Sequence, residues 1–143
     1  MTYRITTIAL ALMLLAVPRL AAAEDVTYFD AKHVAASFAK ATTLFQHDNY
    51  RIVTGRRVRP GEVEIHALDT DLMYVVSGSA TLITGGTPIE PRDTAPNEVR
   101  AKASQGGTPH RLSKGDVIII PKGTPHWFEH VSGTFDYLTI KVR

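Results

Sequence analysis

Residues 115–126 read Gly115-Asp116-Val117-Ile118-Ile119-Ile120-Pro121-Lys122-Gly123-Thr124-Pro125-His126. Physically this is a turn, a strongly apolar strand of β-branched residues, and a second turn fixed by Pro121 and Gly123. His126 then stands at the start of the next strand.

The same grammar repeats outward from this stretch. From Tyr50 onward, short runs rich in Val, Ile, Thr and aromatic residues alternate with Gly and Pro. They predict strands over residues 50–57, 63–68, 72–76, 80–84, 109–112, 117–120, 126–131 and 135–142. Ser77-Gly78-Ser79, Lys114-Gly115-Asp116, Lys122-Gly123-Thr124 and Ser132-Gly133-Thr134 read as turns between them. Such a series predicts an all-β domain over residues 50–143, a closed barrel or jelly roll. In the segment before it, residues 24–49, Val34, Phe38 and Ala41 recur at helical spacing behind Asp30 as N-cap, which predicts a short helix over residues 30–42. The connection 85–107 carries Pro88, Pro91 and Pro96, a Gly-Gly pair at each end and no periodicity. It is expected to lack regular structure and to act as a flexible cover over the barrel mouth, offering Glu90, Arg92, Asn97, Glu98 or Arg100 as polar contacts.

The 115–126 stretch resembles the second conserved motif of the cupin superfamily: a Gly, five residues, Pro-x-Gly, two residues, then His. The match is complete to His126, and His130 stands where the motif usually has Asn. A degenerate first motif lies upstream, where the family usually has His-x-His, three or four residues, Glu, six residues and Gly. Aligned on Gly78, Asp71 takes the place of the Glu, His66 that of the second His and Glu64 that of the first. The resemblance implies a single cupin-type β-barrel, a jelly roll, and a metal site at its centre.

Strand geometry supports the same grouping. Side chains two apart share a face, so Glu64 and His66 point the same way, and His126 and His130, four apart, are expected to share a face as well. If that face is the barrel interior, Glu64, His66, Asp71 and His126 converge as metal ligands. Two imidazoles with one or two carboxylates suit a divalent ion: Fe(II) first, but also Mn, Ni or Zn. Asp71 is one methylene shorter than Glu and is expected to reach the metal through water. His130 and His110 are the candidate catalytic proton carriers. Met73, Trp127, Phe128 and Tyr137 read as core or cavity wall, and Arg56-Arg57-x-Arg59 as a solvated strand end, with binding of an anionic substrate as the alternative.

Residues 1–23 read as a secretory signal peptide. Arg4 precedes an uncharged apolar run from Ile5 to Val17, and Ala21-Ala22-Ala23 supplies small residues before Glu24. The run is too short to span a bilayer, so no stable membrane anchor is expected, and the product would be secreted or periplasmic. Lys and Arg number 16 and Asp and Glu 14; cleavage removes Arg4 and Arg19 and leaves 14 of each. Zero net charge argues against a nucleic-acid partner. With no cysteine, thiol catalysis, thiolate metal sites and disulfides are excluded.

Fold alone does not settle function. The leading expectation is a secreted metal-dependent enzyme of dioxygenase, isomerase or lyase type acting on a small polar molecule. Two alternatives stand beside it: a non-catalytic cupin that binds a small ligand, and a metal-free acid–base isomerase or dehydratase using His126 and Glu64 directly. Pairing into a homodimer through strands is carried over from the resemblance.

Overall fold

The computed structural model describes residues 25–143, so the leader assigned to residues 1–23 lies outside the described residues. Among the described residues one helix, α1 (Ala31–Phe38), precedes eleven strands. These are β1 (Thr43–Gln46), β2 (Tyr50–Arg57), β3 (Val63–His66), β4 (Thr70–Thr84), β5 (Thr87–Ile89), β6 (Arg92–Ala95), β7 (Glu98–Ala101), β8 (Ala103–Gln105), β9 (Thr108–Ser113), β10 (Val117–Ile120) and β11 (His126–Val142). Asp30 caps α1 as expected, its carboxylate accepting the His33 N–H at 2.7 Å.

β4 and β11 pair antiparallel along nearly their whole length, from His126↔Thr84 to Val142↔Thr70. The sequence predicts each as two strands parted by a turn, at Ser77-Gly78-Ser79 and Ser132-Gly133-Thr134. The structure instead runs the ladder through both. The two glycine segments face one another, and the register shifts between Ser132 and Asp136. Gly78 (φ +79) and Gly133 (φ +68) bend the ribbon here rather than reverse it. A Cβ on Gly78 would strike the Thr134 carbonyl, so the bend needs glycine at that point.

The bend lets one ribbon serve two walls. The main sheet follows the order β1-β2-β11-β3-β7-β6, while β4 also pairs with β9 and β10. Its concave side holds one core, built from Met73, Val75, Ala80, Leu82, Leu112, Ile120, Phe128, Val131 and Phe135. Phe128, Phe135 and Tyr137 meet with ring centroids 5.2–5.4 Å apart. The Tyr137 ring lies over Gly55, its paired residue on β2, in the space a Cβ would need. The fold is thus all-β, as expected, and β1 adds a strand ahead of Tyr50 that the sequence pattern does not reveal.

The connection 85–107 is not irregular. β5 pairs with β8, and between them β6 and β7 form a hairpin whose inner strand joins β3. Prolines do not prevent this because Pro91 and Pro96 lie between strands, and Pro88 sits in a short two-stranded sheet. Gly85, Gly86, Gly106, Glu90 and Asn97 take the positive φ values the reversals need. Ala101 is fully buried where β7 joins β3, while β6 stays exposed along its length.

Candidate metal centre

Register brings the site together. On β3, Glu64 and His66 share a face, and His126 opens β11 directly opposite Glu64. One ligand atom from each of these three residues lies within 4.8 Å of the others. The two imidazoles are 5.1 Å apart by centroid and tilted at 55°. His66 and His126 are almost fully buried, while Glu64 is partly open.

Each imidazole is held by its Nδ1. That of His66 lies 2.6 Å from Glu98 Oε2, and that of His126 lies 3.0 Å from the Thr124 carbonyl. A carbonyl or carboxylate can only accept, so both Nδ1 atoms carry a hydrogen, and in the neutral ring the lone pair then stands on Nε2. Those two Nε2 atoms are buried and have no hydrogen-bond partner. Unpaired buried acceptors are costly in an ordinary core. Two of them beside a carboxylate fit the demand of a divalent cation. Burial lowers the pKa of His126, outweighing the Thr124 bond and the nearby carboxylates, which keeps the ring neutral.

The carboxylates are not equally free. Glu64 Oε1 accepts from Arg57 at 2.7 Å and from Arg100 at 2.6 Å, leaving Oε2 turned toward His66 Nε2 at 3.7 Å. Burial alone would raise the Glu64 pKa, but the Arg57 and Arg100 charges outweigh it and hold it at about 2. Asp71 Oδ2 lies 3.6 Å from His66 Nε2 and 3.9 Å from His126 Nε2. Both Asp71 oxygens, however, accept from the Lys141 ammonium, at 2.6 and 2.7 Å. Asp71 is thus paired with Lys141 beside the cluster that Glu64, His66 and His126 form.

The two candidate proton carriers fall elsewhere. His130 does not share a face with His126: the register shifts between Phe128 and His130, so His130 pairs with Thr81 and turns outward. It is exposed, on a surface groove with Arg111 and Ser132. The extra residue of a β-bulge inverts the two-residue alternation on which the expectation rested. His110 pairs with Leu82 on β4, and its Nε2 meets Thr84 Oγ1 at 2.8 Å. Thr84 is the residue opposite His126, so His110 joins the site's wall one strand away from the triad.

Four site residues escape the sequence reading of ligands and proton carriers. Arg57 and Lys141 come from β2 and β11; Glu98 and Arg100 come from β7, inside the supposed irregular connection. Three polar contacts sit on directly opposed strand positions: the His66↔Glu98 hydrogen bond and the Glu64↔Arg100 and Lys141↔Asp71 ion pairs. The alternation Glu98-Val99-Arg100-Ala101 is the signal that could have marked β7 as a strand.

No family model matches the sequence, and no curated protein does. Solved structures do share the fold. Hydroquinone 1,2-dioxygenase from Sphingomonas sp. TTNP3, solved with 4-hydroxybenzoate bound, superposes with a TM-score of 0.60 at 12% identity over 84% of this chain and 81% of that one. KdgF from Halomonas sp. gives 0.51 at 16% identity over 71% and 76%. An RmlC-like cupin family protein with a double-stranded β-helix fold from Methanocaldococcus jannaschii gives 0.49 at 11% over 71% and 76%. The curled sheet, the 115–126 motif at its turn and the first two superpositions agree: this chain has the fold of the cupin superfamily.

Proposed function

We propose that the chain is a metal-dependent enzyme acting on a small polar molecule, with one divalent ion held by His66 Nε2, His126 Nε2 and Glu64. The observation that carries this reading is the pair of buried, unpartnered Nε2 lone pairs beside a carboxylate. A bound ion of this kind supplies Lewis acidity and open positions for substrate oxygens. The protein's own groups do the rest. Glu98 fixes the His66 tautomer, the Thr124 carbonyl fixes that of His126, and Arg57 and Arg100 keep Glu64 ionised. Lys141 holds Asp71 beside the triad, where it can accept a hydrogen bond from a ligand in the site.

The metal-free alternative is less well supported. A general base is most effective with a pKa near working pH, and Glu64 at about 2 is far from that. A dioxygenase shares the fold, so oxygen uptake is the first assay, with Fe(II)-, Mn-, Ni- and Zn-loaded protein screened against phenols, hydroxy acids and keto acids. Turnover that needs one of these metals and is lost in His126→Ala would support the enzyme reading. Tight ligand binding without turnover would favour the binding-protein alternative. We further propose export and cleavage before Glu24, for which N-terminal sequencing of exported protein is the test.

A further inference from the structure

Exposure is uneven around the triad. His66, His126 and Asp71 have side chains only 2–6% exposed, whereas Arg57, Arg100 and Glu64 are 20%, 30% and 21% exposed. Arg57 also lines a surface groove with Arg59 and Gly61. The partly exposed groups bordering the triad are thus Arg57 and Arg100 with Glu64, and on the other side of His66, Glu98 at 26%.

Charge points the same way. Around the triad, Glu64, Asp71 and Glu98 face Arg57, Arg100 and Lys141, three negative against three positive. The cluster is balanced before any metal enters, so a divalent ion leaves two positive charges in a partly buried site. The arginines have donors to spare. Arg100 uses one N–H, on Glu64, and Arg57 uses two, on Glu64 and on the Tyr137 hydroxyl at 3.2 Å. A guanidinium has five, in a fork that matches an oxyanion. Arg57 is also fixed in place, its charge 4.7 Å over the Phe128 ring.

We propose that the molecule bound at this centre is an organic anion, a small carboxylate that enters on the arginine side and is recognised by Arg57 and Arg100. This rests on the metal reading above and adds the chemical class of the ligand.

The test uses malonate and its uncharged analogue malonamide. The purified protein is loaded with Mn²⁺, its metal content is measured, and each compound is titrated by calorimetry. Malonate should bind and malonamide should bind at least roughly 10-fold more weakly. Arg100→Gln should weaken malonate roughly 10-fold or more per metal-loaded chain, the metal content of each protein being measured and used to normalise its titration. General structural damage would instead lower the metal-loaded fraction and leave the affinity of the loaded chains as in wild type. If Arg100→Gln does not fold, Arg57→Lys is read in the same way, since an ammonium keeps the charge and loses the fork. Metal-loaded protein that binds the two compounds equally, or an Arg100→Gln protein that binds malonate like wild type, overturns the anion inference alone. Protein that takes up no metal overturns the metal reading and this inference with it.

Discussion

Lys141 stands directly opposite Asp71 in the β4–β11 ladder, and its ammonium holds both oxygens of that carboxylate, at 2.6 and 2.7 Å. Asp71 is 2% exposed and the Lys141 side chain 13%. The position that aligns with the family's Glu is thus occupied by an acid already paired inside the sheet. In Glu64 the two arginines engage a single oxygen and leave the other toward His66. The proposed ligand cluster thus has a charge pair packed beside it.

Removing one member of a buried pair is costly because the other is left charged and unpaired. Lys141→Met should destabilise metal-free protein by ~3–5 kcal/mol in urea unfolding. The double variant Lys141→Met/Asp71→Asn should recover much of that loss. Equal stability of the single variant and wild type would show that the pair is not buried as described.

Under the proposed ligand assignment, Glu98 acts on the centre through its contact with His66. Glu98→Ala should fold normally, since the side chain is 26% exposed, but should bind metal roughly 10- to 100-fold more weakly. Metal titration of the two proteins decides it. Unchanged affinity would mean that His66 is oriented by its packing alone.

Acid should act in two windows. Burial depresses the His126 pKa below its ordinary 6.5, so below about that pH the unfolded chain takes up a proton that the native state refuses, and stability falls. Glu64, held at about 2 against an ordinary 4.5, adds stability that is complete above 4.5 and is lost as pH drops toward 2. Urea unfolding of metal-free protein across pH 3–8 should show both declines. In His126→Gln the decline that starts near 6.5 should shrink.

The bend in the long ribbon depends on Gly78. Gly78→Ala adds a Cβ against the Thr134 carbonyl at a φ of +79, and should cost about 2 kcal/mol or more. Gly123→Ala, also at positive φ but with open space around it, should cost less. Thermal melts rank the two.

What the sequence reveals and what it hides follow from the same geometry. Runs such as Val117–Ile120 and Tyr50–Arg57 declare themselves by composition, and the structure keeps both at those bounds. Glycine in a turn-like context is ambiguous: Gly115 does sit at a reversal, whereas Gly78 and Gly133 bend a continuing ladder. Two-residue parity places Glu64 beside His66 correctly and misplaces His130, because a bulge adds a residue that no composition signals. Connection 85–107 misleads through its prolines, which fall at turns and at the edge of a small sheet. Replacing residues 87–104 with a Gly-Ser linker should therefore not spare the site, since it removes β7 with Glu98 and Arg100. Lys141 is invisible until the register sets it against Asp71.

The most direct measurement is the metal-to-protein ratio of purified protein after reconstitution and desalting, compared across wild type, Glu64→Ala, His126→Ala and Asp71→Asn. Wild type and Asp71→Asn should each retain about one divalent ion per chain, and Glu64→Ala and His126→Ala should retain almost none. Wild-type protein without metal, or a Glu64→Ala protein that keeps its ion while Asp71→Asn loses it, would contradict the assignment of Glu64, His66 and His126 as the ligand set.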